Sequence, residues 1–497
     1  MKALKTEFMT FLESLNEHEQ QQIQNFFCDF DLNFSLSSRE KKKFKDDFEN
    51  AIMYLYNNGV SLKKTLSRLA LTNLGGFFAR SSIVWVPLDD AAKIYPVSME
   101  HGRQQVFRIA VYLKNEVSPT LLQMALNFTI KRFPSFATTL KKGFFWHYLN
   151  GIKKHFYIEK ERYYPCQPIK ISSTGSIPFR TMYYQNRVSV EFFHVLTDAS
   201  GAVVFLKALI REYLRLNGVN CPDGNDVWNV NDTPTMEEFE NAFEKVEKAK
   251  NSSGFIQKTA LQMNGRLSRK RPCRMLHFKM DADKLRQVAK GYNATITAYL
   301  LAQMFYACRS AIDLLDGDIN IQVPVNMRKY YPSKTIGNFS MYCGIRLGLD
   351  EINDKQDLID KISAQLVEKS AKDKMHEMIT STANIIGSIR YIPLAIKQPI
   401  AKMIYGFLGE KLYTTTFSNI GIISMPKEMM EHIESMDFCL GAQATNRLAC
   451  AMATVGNVAT FTISKMTLDP AFEQRLYKLL SDDGILINVE GSKNYER

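Results

Sequence analysis

Paired cysteines are missing from this sequence. The eight it has, Cys28, Cys166, Cys221, Cys273, Cys308, Cys343, Cys439 and Cys450, stand far apart, and none makes a Cys-x-x-Cys pair. That spacing suggests neither a zinc site nor a disulfide framework, and it fits reduced thiols in a cytoplasm. The opening residues Met1 to Phe8 include an acid and no apolar segment, so a secretory leader is not expected. No uninterrupted apolar run reaches the length of a membrane span. Zinc-finger spacing, a basic zipper helix and an aromatic RNA-binding signature are also lacking, which argues against nucleic acid as a partner.

What is present points to a large packed protein. The 497 residues exceed a typical single domain and suggest two or three units, and 45% apolar content supports real cores. The 32 Phe and 22 Tyr suit an apolar tunnel, and they suit ordinary core packing equally well. The formal charge of +12 fits either a basic surface or the attraction of an anionic ligand.

Residues 1–80 read as a helical extension. Ser37 and Glu40 are spaced as a capping box, and Phe44, Phe48, Ala51 and Leu55 follow on one face. This extension suits a packing or oligomer contact, and it leaves peripheral membrane contact open. Residues 81–220 form a first subdomain. It has a strand at Val106 to Leu113, a helix capped by Ser118 with Pro119 at its first position, and aromatic strands around Phe144, Phe145, Trp146 and Tyr148. Residues 221–275 are a polar crossover that closes on the basic run Arg266, Arg269, Lys270, Arg271 and Arg274. That run is either a solvated linker or a contact for phosphates.

Residues 276–497 form a second subdomain. Asp281 and Thr295 are placed to cap helices, and Ile319 to Arg328 alternate as a strand. Pro324 within that strand implies an edge or a bulge. Helices are expected near 353–373 and 399–408, the second with Pro399 in its first turn. Gly456 and Asn457 read as a hairpin turn.

The stretch from Val188 to Gly201 carries the chemistry. Val188, Val190 and Phe192 alternate with polar residues up to His194, and Ala202, Phe205, Leu206, Leu209 and Tyr213 then recur at helical spacing after Asp198. A histidine held where a strand gives way to a helix can serve as a general base near pH 7. A second His-x-x-x-Asp pair, His277 and Asp281, lies within a strand and at a cap, so it is expected to be structural.

Several stretches then line up in order: Trp85-Val86-Pro87-Leu88-Asp89-Asp90, Arg132-Phe133-Pro134, Phe193 to Gly201, Val323 to Arg328 with Gly337-Asn338-Phe339, and Phe417-Ser418-Asn419-Ile420-Gly421. Together they resemble the coenzyme-A-dependent acyltransferase superfamily with the chloramphenicol acetyltransferase fold, nearest to bacterial alcohol acetyltransferase-like proteins. The resemblance runs from about residue 85 to 480. Two departures stand out. Phe193 occupies a position where many members have a further histidine, and Ala199 and Ser200 separate Asp198 from Gly201.

The resemblance implies a mixed α/β fold of two similar subdomains with a substrate tunnel between them. Acyl-coenzyme A would be a co-substrate, no cofactor would be held permanently, and no metal would take part. His194 would be the base, and Asp198 would pair with Arg328 through a bidentate bridge. Ser418 and Asn419 would be candidates to stabilise the oxyanion, while Arg266, Arg269, Lys270 and Arg271 would meet the coenzyme phosphates. Asn326 and Asn338 are expected to fix local backbone. The acceptor would be a small apolar alcohol or amine. The alternatives are a condensation-type enzyme whose donor rides on a carrier protein, and a relative that binds ligand without catalysis.

Overall fold

The computed structural model describes residues 2–33, 36–70, 85–97, 104–169, 176–224, 227–249, 258–268, 272–404, 410–441 and 446–492. The first half supplies β1 (Trp85–Pro87), β2 (Val106–Leu113), β3 (Thr138–Lys142), β4 (His147–Gly151), β5 (Ile158–Lys160), β6 (Phe179–Tyr184) and β7 (Arg187–Phe193). The second supplies β8 (Arg274–Asp281), β9 (Asp318–Asn326), β10 (Ser340–Gly348), β11 (Thr415–Ile422), β12 (Ile433–Leu440), β13 (Leu448–Val455), β14 (Val458–Lys465) and β15 (Ile487–Gly491).

Two large mixed sheets result, in the orders β12-β2-β7-β6-β5 and β10-β9-β11-β13-β14-β8-β15, with a small third sheet β1-β4-β3. Strands β2 and β7 are buried almost throughout, which matches the largely apolar sequence of β2, while on β7 the polar Ser189 and Glu191 are buried as well. Strand β10 alternates buried and half-buried residues, so one face alone enters the core. The helices Pro119–Ile130 and Ala199–Leu216 pack together on the first sheet, while Ile296–Ser310 packs against Ala471–Asp482 and Lys355–Lys369 over the second. The caps expected at Ser118, Asp281 and Thr295 all form, each side chain accepting from the amide three residues on. Gly456 takes the left-handed conformation in the tight turn between β13 and β14.

The structure adds to the sequence expectations, and corrects some of them, at several places. The halves are not separate in sequence: β12, from the second half, pairs antiparallel with β2 from Ile433–Leu113 to Leu440–Phe107. Met436 and Phe438 of β12 enter the first core, so an edge of β2 that would otherwise be open is filled. The N-terminal helices also belong to that core, with Phe44, Phe48 and Leu55 joining it. Asp47 binds Asn127 (2.7 Å) and His155 (2.5 Å) on the first subdomain. The capping box is half made, because Ser37 accepts from Glu40 N while the Glu40 carboxylate turns to His155 N and Lys43.

Phe144, Phe145 and Trp146 are not in a strand; they form the tip between β3 and β4. A further helix, Lys372–Ser388, follows the one expected near 353–373, and the next runs Leu394–Ile404 with Pro399 in its interior. Its start is fixed by Pro393, whose carbonyl accepts from Ile396 and Lys397 N. Pro399 merely withholds one N–H from the ladder. Positions 405–408 of the expected helix lie outside the described residues.

Pro324 sits where the second sheet opens. Strand β9 pairs fully with β10, but it pairs with β11 only at Ile321–Thr415 and Gln322–Thr416. Proline has no N–H to extend that ladder, so β11 departs and continues beside β13.

Candidate active site

His194 follows the last residue of β7, and its backbone N–H donates to Gln105 O at 2.8 Å. The ring is half-buried. Tyr95 stacks on it with centroids 4.7 Å apart, and Phe107 meets it edge-on at 5.0 Å. Nδ1 lies 2.7 Å from Asn338 Oδ1. The Asn338 amide nitrogen donates to Asp89 Oδ2 at 3.1 Å, and the Asn338 backbone N–H donates to the same oxygen at 3.0 Å.

This chain of groups decides the tautomer. An ionised carboxylate only accepts, so the Asn338 NH₂ must face Asp89 and its oxygen must face the imidazole. The proton then sits on Nδ1, and Nε2 keeps its lone pair. Among the described residues, Nε2 has no hydrogen-bonding partner. Burial lowers the His194 pKa from its ordinary value, and the nearby Asp198 charge and the Asn338 bond only partly oppose this. The ring is therefore neutral, with an open base, at pH 7.

Asp198 begins the helix Ala199–Leu216 and accepts from Gly201 N at 3.1 Å as its N-cap. Its other oxygen accepts from Arg328 Nη1 (2.8 Å), Phe339 N (2.9 Å) and Ser340 Oγ (3.0 Å). Burial alone would raise this carboxyl, but the Arg328 guanidinium and the hydrogen bonds outweigh it and hold the pKa below the ordinary value. The carboxylate is thus spent on the second subdomain and not on substrate.

The contact with Arg328 is a single N–H and not the bidentate bridge expected. The other guanidinium donors go to the carbonyls of Thr335 and Gly337 and to Asn326 Oδ1. Arg328 therefore shapes the 335–337 turn as well as holding Asp198. The same turn clasps the His194 loop, because Thr197 Oγ1 donates to Ile336 O at 2.6 Å. A Cβ at Gly201 would lie 2.2 Å from that same carbonyl, so only glycine fits there. Asn326 reaches across to Ser200 Oγ at 3.1 Å.

The remaining expected residues are placed differently. The Asn419 amide donates to Thr297 and its oxygen accepts from Gly421 N, so its side chain is committed to a local turn. Ser418 is buried on β11, on the strand face opposite Phe417, which enters the second core. Arg266 is exposed next to the bridge between Leu267 and Thr467. That bridge is at the end of the second sheet opposite Asn326 and Ser340, so Arg266 is not brought to the imidazole. Arg269, Lys270 and Arg271 lie outside the described residues. His277 lies 3.0 Å from Thr462 Oγ1 on the neighbouring strand and Asp281 caps a helix, in keeping with a structural pair.

Asp89 and Tyr95 were not singled out as site residues from sequence. Asp89 is half-buried, and its pKa is raised to about 6, first by desolvation and further by the Asp198 charge. Nothing local marks its role, since it acts on a residue 249 positions away. Asp89→Asn preserves shape but removes the charge that orients Asn338. We expect kcat/KM to fall about tenfold and its acid limb to move to lower pH, because one less negative charge favours the neutral imidazole. A pH–rate profile of the variant checks this, and an unmoved limb would remove Asp89 from the chain.

A cavity of about 1050 Å³ adjoins this relay. It is lined from the first subdomain by Trp85, Leu88 and Tyr148, from the crossover by Phe243, and from the second by Ile379 and Ile386. Leu88 and Asp90 flank Asp89, and Phe243 packs edge-on against Phe339, the neighbour of Asn338. The crossover is fixed there by a buried two-pronged ion pair, Arg132 to Glu238 at 2.6 and 2.9 Å.

No family model and no curated protein matches the sequence. Solved structures do match in three dimensions. TRI101 of Fusarium sporotrichioides, complexed with coenzyme A and T-2, superposes with a TM-score of 0.56 at 11% identity, over 82% of this chain and 99% of that one. TRI3 trichothecene 15-O-acetyltransferase of the same fungus gives 0.52 at 12%, over 81% and 96%. The starter condensation domain of rhizomide synthetase RzmA, in complex with C8-CoA and Leu-SNAC, gives 0.54 at 10%, over 81% and 95%. The chain thus has the chloramphenicol acetyltransferase-like fold of the coenzyme-A-dependent acyltransferases and condensation domains.

Proposed function

From that fold and this site, we propose that the protein is an acyltransferase that moves an acetyl or other acyl group from acyl-coenzyme A to the hydroxyl, or amine, of an apolar acceptor. The observation that carries the proposal is the fixed tautomer of His194. A neutral ring with its proton on Nδ1, and an Nε2 that has no hydrogen-bonding partner among the described residues, is set up to take a proton and later return it.

In the proposed reaction, Nε2 accepts the acceptor's proton as the oxygen attacks the thioester carbonyl. A C–O bond forms and the carbonyl electron pair moves to oxygen. The Ser418 hydroxyl is the proposed donor to that oxyanion, and one such donor contributes about 3 kcal/mol. Collapse breaks the C–S bond, and the proton on Nε2 passes to the departing thiolate. Asp198 and Arg328 touch no reacting atom; they hold the histidine loop in register between the halves. The acceptor occupies the aromatic cavity beside Asp89.

The test is release of free thiol when the protein is mixed with acetyl-coenzyme A and a panel of alcohols and amines. Acceptor-dependent release, with acylated product by mass spectrometry, is the expected result. Transfer only from an acyl group loaded on a carrier protein would replace the donor half of the proposal, an outcome that the condensation-domain likeness makes specific. Ligand binding with no transfer from either donor would overturn it.

A further inference from the structure

The mouth of the cavity carries an unusual surface. Trp85 is 61% exposed, Phe144 71% and Tyr391 73%, and these large side chains come from different parts of the chain. Phe144 and Tyr391 belong to one patch, and Trp85 lines the same cavity as Phe144 and Phe145. The Phe145 ring packs edge-on to Tyr391 at 6.1 Å and to Phe144 at 4.8 Å, and Leu394 N donates to Phe144 O at 2.8 Å. Ile385 and Ile396, on the adjacent helices, are each more than half exposed and extend the apolar area.

The charge around this patch is mainly positive. There is no Asp or Glu between Glu116 and Glu159, nor between Glu377 and Glu410, and these are the two segments that build most of it. Lys142 and Arg390 are exposed at its rim, and Arg390 lies over the Tyr391 ring at 5.4 Å. Of the two acids lining the cavity, Asp90 is paired with Lys93 and Glu244 accepts from Asn241.

Exposed Trp, Tyr and Phe with aliphatic neighbours and a mainly cationic rim have the chemistry of a bilayer interface and not of a water-facing wall. No described helix is long and apolar enough to cross a membrane. We propose that this patch docks the protein on the surface of an anionic phospholipid bilayer, with Phe144, Tyr391 and Trp85 inserted at headgroup depth and Lys142 and Arg390 facing the phosphates. The cavity then opens onto the lipid. If the protein transfers acyl groups as proposed, the acceptor is an amphipathic alcohol drawn from the membrane.

Sedimentation with vesicles tests the docking without any acyl-coenzyme A present. The wild-type protein is expected to pellet with vesicles of phosphatidylcholine and phosphatidylglycerol, and about tenfold more weakly with phosphatidylcholine alone or in high salt. The exposed-site variants Phe144→Ser with Tyr391→Ser, and Arg390→Glu, are expected to lose binding by about tenfold or more while keeping the wild-type melting temperature. Brominated lipids should quench tryptophan fluorescence in the wild type and much less in Trp85→Phe. No vesicle binding by the wild type, or binding that the variants leave unchanged, overturns the proposal. So does a dimer in solution that these variants dissolve while vesicles are ignored, because the patch would then serve a second copy. Binding by a protein inactive in thiol release keeps this surface and removes the reaction, and the reverse result does the opposite.

Discussion

Replacing His194 by alanine is expected to lower kcat/KM for acyl transfer by about 10²- to 10⁴-fold, the range that a positioned general base supplies. The KM for acyl-coenzyme A should change little, because the imidazole acts on the acceptor's proton and contributes no charge to the donor's phosphates. The wild-type pH profile gives an independent check. Burial lowers the His194 pKa, so the acid limb of kcat/KM should fall below the ordinary histidine value of about 6.5. The rate should climb as pH rises through that depressed pKa and then stay level through neutrality, since only the neutral ring accepts a proton. An acid limb above the ordinary value, or turnover indifferent to the alanine, would remove the base from the mechanism.

Asp198→Ala is expected to give the largest loss of stability. The carboxylate is buried and accepts from Arg328, Phe339 N, Ser340 Oγ and Gly201 N. Its removal uncaps a helix, orphans two buried amides and leaves a guanidinium without its counter-charge, at a cost of about 3–5 kcal/mol. Arg328→Ala should cost less, about 1–3 kcal/mol, because three neutral donors still hold the carboxylate. The double variant should be less damaged than the sum of the two, since each single change strands the partner of the other.

Activity should fall further than stability alone explains, because a shift of about 1 Å in the His194 loop can cost roughly 10²-fold. The pH dependence has a definite sign. A folded-state pKa held below the ordinary carboxylate value of about 3.9 means the stabilisation is fully present above that value and is lost as pH falls through the folded pKa. Asp198→Asn should therefore flatten this part of the acid limb of the melting temperature. Thermal melts of the wild type and the four variants from pH 7 down to pH 3 measure the stability effects. Additive losses, or an unchanged acid limb in Asp198→Asn, would show that the bridge does not hold the loop.

Much of the site's local shape was legible in the chain. Alternation up to Phe192 and helical spacing after Asp198 placed a histidine and an N-capping aspartate on either side of one turn, and both signals act within a few residues. Pro324 announced the break between β9 and β11 because it has no N–H, whatever surrounds it. The order of motifs along the chain announced the fold.

Sequence alone thus determined the short backbone features around His194 and Asp198, since caps, turns and strand periods are set by neighbours along the chain. Tertiary structure alone decided how those residues are used. It bonded Asn338 to His194 across 144 positions and to Asp89 across 249, gave Arg328 to two carbonyls as well as to Asp198, turned Asn419 toward Thr297, and laid β12 beside β2. The physical reason is that a hydrogen bond is satisfied by whatever group lies about 3 Å away, and for buried side chains that group is chosen by packing and not by the order of residues.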